Sequence, residues 1–151
     1  MKQLITTLGF YMITVLSFAQ QKTVYNKQLA DSLGADEYGM KNYVLAILKT
    51  GPNQKWTQPE MDSLFRGHMA NIKRLADAGK LAVAGPFGEN EKAWRGLFIF
   101  NVNKIEEAKV LLLTDPAIQA GLFDTEVYPW YGSAALPLYL PHHEEVSSRK
   151  F

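Results

Sequence analysis

The 151-residue chain contains no cysteine. That excludes a disulfide framework, a thiolate nucleophile, a Cys-ligated metal and a lipid-modified N-terminal cysteine. There is little excess of either charge: 16 Lys and Arg face 15 Asp and Glu, a formal net charge of +1. Without a basic stripe to neutralise phosphates, nucleic acid is not an expected partner. Histidines number only three. His142 and His143 are adjacent in the tail and face differently on any regular element, so no zinc set is expected. No G-x-S-x-G, G-x-G-x-x-G or Walker pattern occurs, which gives no motif for a serine nucleophile, a nucleotide or a flavin. No cofactor is expected.

Long hydrophobic runs are also scarce. The one at Leu4–Phe18 falls short of the roughly 20 apolar residues that span a bilayer. It follows Lys2 and ends in Ser17-Phe18-Ala19, with small residues where a signal peptidase reads. Residues 1–19 are therefore predicted to be a secretory signal cleaved after Ala19, which places the protein in the periplasm or outside the cell, with no membrane attachment afterwards; an uncleaved N-terminal anchor is the other reading of the same run. Cleavage would remove Lys2 and leave 15 basic residues against 15 acidic ones.

What remains is of ordinary globular composition, 47% hydrophobic and 21% charged. Residues 20–41 read as a polar lead-in, with a short helical turn at Leu29–Leu33 ended by Gly34. Residues 42–137 form one domain, and residues 138–151 a polar tail. Asn42–Lys49 is a strand whose near-continuous apolar run suggests cover on both faces. A helix follows, opened by the capping-box spacing of Thr57 and Glu60 with Pro59 in its first turn, and stopped by Gly79. Met61, Leu64, Phe65, Ile72 and Leu75 share one face of it, and His68 lies on that face; Arg66, Asn71, Lys73 and Asp77 are assigned to solvent. Strands follow at Leu81–Ala84 and Gly96–Val102. A second helix runs from Lys104 to about Leu113, with Asn103 and Glu106 at capping-box spacing. Asp115-Pro116 ends it and opens a further turn to Ala120. The last strand is Phe123–Tyr131, where Pro129 marks an edge position or the strand's end.

The order β-α-β-β-α-β implies an α+β, ferredoxin-like fold: an antiparallel sheet with both helices on one face. Val44, Leu81, Phe98, Phe100 and Val127 are read as apolar residues on the opposite face, which a homodimer would cover.

For chemistry, His68 is the natural candidate, since imidazole exchanges protons near neutral pH. A histidine satisfied by hydrogen bonds in the core is the other reading of the same pattern. Asp115 is either an acid of the site or ordinary Asp-Pro turn chemistry. Arg95 and Trp94, with Arg66, are secondary candidates for holding a carboxylated ring.

Taken together, FRGHMANIKRLADAGKL, the AGPF turn, GLFIFNV and DPAIQAGLFDTEVYPW resemble the YCII-related (YciI-like) domain family over about Lys41 to Pro137. The resemblance implies a dimeric ferredoxin-like α/β barrel with an enzymatic site built on a histidine and an aspartate. It puts the catalytic pair on His68 and Asp115, and the family's Gly-Pro on Gly85 and Pro86, which join Arg95 and Trp94 as substrate-binding candidates. Most members have no assigned reaction, some relatives carry out dehydrochlorination, and the wider superfamily includes muconolactone isomerases. The expected activity is proton abstraction with elimination or isomerisation of a small molecule, of lyase or isomerase type. The alternative is a non-catalytic module of the same fold that binds a small ligand or another protein. The exported lead-in and the extension past Pro137 depart from the common form.

Overall fold

The computed structural model describes residues 24–148. The predicted signal and its cleavage site lie outside them. The elements are α1 (Lys27–Leu33), β1 (Met40–Thr50), α2 (Gln58–Asp77), β2 (Leu81–Pro86), β3 (Trp94–Phe100), α3 (Ile105–Leu112), α4 (Pro116–Gln119) and β4 (Phe123–Ser133). A 3₁₀ turn at Leu136–Tyr139 and a last helix, α5 (Leu140–Val146), complete the order.

The four strands form one sheet in the order β2-β3-β1-β4, and every neighbouring pair is antiparallel. This is the ferredoxin-like arrangement: each strand–helix–strand unit leaves a gap that a strand of the other unit fills. Pro129 pairs with Val44 inside β4. β4 is an edge strand, so the missing N–H faces outward and breaks no ladder bond.

The sheet has two faces of different character. Val44, Ala46, Leu48, Leu81, Phe98 and Phe100 pack with Leu75 of α2 and with Ala108 and Leu112 of α3 in one cluster, with Val127 against it. The five residues read from the sequence as the outer face therefore point at the helices. Strand parity is set by register, and a near-continuous apolar run hides it. The opposite face carries Tyr43, Ala82 and Ile99, packed with Leu97, Trp130 and Leu136. Part of it is covered by the 3₁₀ turn, where Tyr139 donates its hydroxyl hydrogen to the Ala82 carbonyl at 2.7 Å. Leu45 and Leu97 stay half-buried there, and Tyr128 stays exposed.

Two further local expectations change. The N-cap of α3 is Lys104 and makes no side-chain cap bond, so Asn103 does not form the box. The residues after His142 belong to a helical turn, where His142 Nδ1 meets Glu145 Oε2 at 2.8 Å.

Candidate functional site

The site is built on α2, and α2 is well specified. Glu60 accepts from the Thr57 backbone N–H at 2.8 Å and from the Thr57 hydroxyl at 2.6 Å, closing the first turn. Twenty residues make a helix about 30 Å long. Its buried residues are His68, Asn71 and Leu75, spaced three and four apart so that they share a face. The helix thus presents two polar side chains where the period would ordinarily place hydrophobes. The earlier assignment of Asn71 to solvent is wrong: only 6% of it is exposed.

His68 sits between two aromatic rings. Its ring stacks on Phe98 of β3 with centroids 5.8 Å apart, and meets Phe123 of β4 at 5.2 Å. Phe65, one turn earlier on the helix, lies edge-on to Phe123. Nδ1 of His68 lies 2.6 Å from Oδ2 of Asp115, and the aspartate is fully buried. The other oxygen, Oδ1, accepts the Ala117 N–H at 2.9 Å and so caps α4. One side chain thus forms the Asp-Pro turn with one oxygen and meets His68 with the other. A carboxylate can only accept, so the Nδ1 hydrogen points at Asp115 and the neutral ring keeps its lone pair on Nε2. Among the described residues Nε2 has no hydrogen-bond partner. It is not sealed off either, because no side-chain nitrogen or oxygen among the described residues is both buried and unpartnered.

Two glycines allow this approach. A Cβ at Gly67 would lie 2.9 Å from Cγ of Pro116, the residue after Asp115. Glycine at a helix interior costs about 1 kcal/mol relative to alanine, and here it lets the α4 turn close on α2 beside His68. At Gly51 a Cβ would lie 2.2 Å from the Gly121 carbonyl oxygen. That contact holds the β1–α2 loop against the turn that ends α4, so both partners of the pair start from one anchored seam.

A second polar group, not anticipated from the sequence, braces the same junction. Oδ1 of Asn71 accepts from Arg74 Nη2 at 2.6 Å, and Thr114 Oγ1 lies 3.0 Å from it. Arg74 Nη2 also donates to Thr114 Oγ1 at 2.7 Å. Thr114 directly precedes Asp115, so this network and the Gly67–Pro116 contact flank the His68–Asp115 bond. A polar i, i+3 pair beside a site histidine is the only signal that could have pointed to it.

The other candidates lie elsewhere. Trp94 packs against Phe87 at 5.5 Å under Lys92, in a concavity of about 580 Å³ lined by the β2–β3 connection. Gly85 and Pro86 are exposed on β2, opposite Leu97 and Gly96. Arg95 and Arg66 are exposed. Among the described residues no hydrogen bond, ion pair or ring contact joins any of these to His68. No three His, Asp or Glu side chains among the described residues gather as a metal site.

A family model described as the YCII-related domain matches residues 43–131. No curated protein matches the chain. Among solved structures, the chain is similar to the 5-chloro-2-hydroxyhydroquinone dehydrochlorinase of Burkholderia phenoliruptrix AC1100, in complex with 2,5-dihydroxybenzoquinone. The identity is 26% over 58% of this chain and 92% of that one, with a TM-score of 0.42.

Proposed function

The chain belongs to the YCII-related domain family, and from that premise we propose that it is a small-molecule enzyme whose His68–Asp115 pair moves a proton. The observation that carries this reading is the 2.6 Å contact of Nδ1 with a fully buried carboxylate, with Nε2 left unpartnered. In that arrangement Nε2 takes a proton from substrate, and Asp115 stabilises the imidazolium and holds the ring's orientation. In an elimination the C–H electron pair becomes the new double bond, and the leaving group departs with its own bonding pair. In an isomerisation the imidazolium returns the proton to a different atom of the same molecule. Either course balances without a redox partner. Phe98 and Phe123 beside the imidazole suit a flat, apolar body in the substrate.

The reading extends to the rest of the chain. Export fits the apolar run at 4–18, and N-terminal sequencing of the protein from its producing cell should begin at Gln20. Homodimerisation fits the open sheet face, where in one copy Leu45 and Leu97 are half-buried and Tyr128 is exposed. The catalytic assignment is tested by His68→Ala on any substrate found by screening small cyclic carbonyl compounds and halogenated phenols. Loss of general acid–base catalysis lowers turnover by about 10²–10⁴-fold. Unchanged turnover in a folded variant removes His68 from the chemistry and leaves a ligand-binding module of the same fold.

A further inference from the structure

We propose that Arg74 is a positioning residue of the site: acting through Thr114, it tethers the turn that carries Asp115 to α2 and so holds the carboxylate against His68. The inference deepens the proton-transfer reading above and rests on it.

Three consecutive residues of the α3–α4 turn each meet α2. Thr114 Oγ1 accepts from Arg74 Nη2 at 2.7 Å. Asp115 Oδ2 lies 2.6 Å from His68 Nδ1. Pro116 lies so close over Gly67 that a Cβ there would be 2.9 Å from its Cγ. Asp115 thus sits between two fixed neighbours that act in opposite senses. The packing of Pro116 on Gly67 limits how near the turn can come to the helix. The hydrogen bond from Arg74 resists its moving away.

Arg74 is the donor of that tether. The Thr114 hydroxyl has one hydrogen, and its nearer acceptor is the Leu111 carbonyl at 2.6 Å, against 3.0 Å for Asn71 Oδ1. With the hydrogen on Leu111, the link from Thr114 to α2 is the bond it accepts. Arg74 Nη2 carries two hydrogens and gives one to Thr114 and one to Asn71 Oδ1, the latter at 2.6 Å. Arg74 is exposed, and an exposed arginine ordinarily spreads over many rotamers. Here Asn71, only 6% exposed, fixes the guanidinium from beneath. His68, Asn71 and Arg74 follow at three-residue steps on one helix, so the imidazole and the tether share one rigid element. Arg74 also places a cation in the last turn of α2, where it suits the helix dipole. That role needs charge alone and would not reach His68.

The test uses the full-length protein, ¹⁵N-labelled in histidine and free of ligand, and reads the low-field Nδ1 proton of His68. In Arg74→Gln that proton should move upfield and exchange with water about tenfold faster, as loss of one hydrogen bond from the closed state implies. Thr114→Val removes the acceptor and leaves the Arg74 charge in place, and should do the same. The double variant should go no further than either alone, because the two substitutions cut one bond. Thr114→Ser keeps the hydroxyl and should keep the wild-type signal. On a substrate whose turnover requires His68, Arg74→Gln should lower kcat by about tenfold with KM unchanged. An unmoved Nδ1 proton in Arg74→Gln, or additive effects of the two substitutions, would overturn the proposal and leave Arg74 as a brace of the fold alone. The proton is read without substrate, so that failure leaves His68-dependent turnover untouched. Turnover that survives His68→Ala, in turn, overturns the proton-transfer reading and the positioning role with it.

Discussion

Gly67→Ala sets two opposed effects against each other at the site. In a free helix the change is worth about 1 kcal/mol of stabilisation, because alanine restricts the unfolded chain and glycine does not. Here the new methyl would lie 2.9 Å from Pro116 Cγ and 3.3 Å from its Cβ, whereas ordinary contact begins at 3.4 Å. The pyrrolidine ring cannot swing away as a flexible side chain would. Relief requires the 114–116 segment to retreat by about 0.5 Å, and overpacking of this kind costs about 1–3 kcal/mol. The clash should therefore outweigh the propensity, with a net loss of about 0–2 kcal/mol in urea denaturation. The same retreat carries Asp115 with it and lengthens the 2.6 Å bond to His68. Since a 1 Å misplacement can lower a rate by about 10²-fold, half of that should lower turnover by roughly tenfold. The low-field Nδ1 proton of His68 reports the bond directly by NMR and should move upfield. A variant stabilised by the full propensity gain, with that proton unmoved, would refute the account of Gly67 as the residue that admits Pro116.

Asp115→Ala removes a helix cap and the histidine's partner together, and should destabilise the fold by about 3 kcal/mol in the same denaturation assay. Asp115→Asn, which keeps the cap acceptor, should lose less. Asp36 accepts from the Tyr131 hydroxyl and from the Met40 and Tyr38 N–H groups, which together hold its carboxyl below the ordinary 3.8. Because the folded value is the lower one, this stabilisation is fully present above the ordinary value and fades as pH falls through the depressed one. Tyr131→Phe should bring the Asp36 titration, followed by carboxyl ¹³C shifts, back toward 3.8 and weaken the tie between the lead-in and β4. Tyr128 is 48% exposed on the open sheet face. Tyr128→Arg should convert a dimer to a monomer in sedimentation velocity and make the melting temperature independent of protein concentration, and a wild type that sediments as a monomer at micromolar concentration would refute the dimer.

Local signals carried much of the fold. The Thr57–Glu60 box, the period of α2, the Gly79 stop and the strand–helix order were all legible, because each depends on residues within a few positions of one another. His68 and Asp115 were legible as separate candidates for the same reason. Their 2.6 Å contact was not, since 47 residues separate them and only packing brings α4 onto α2. The face of each strand was misread because an apolar run such as NYVLAILK satisfies either parity, and only pairing and the bulge between Leu81 and Val83 decide it. Asn71 was misread because an asparagine on a helix is ordinarily solvated, and burying it requires partners, which Arg74 supplies from the same helix and Thr114 from across the junction. The sequence alone thus placed most of the helices and strands and singled out His68 and Asp115 as candidates. The tertiary structure decided which of them meet, since a hydrogen bond needs its two atoms within about 3 Å and no local rule reaches across 47 residues.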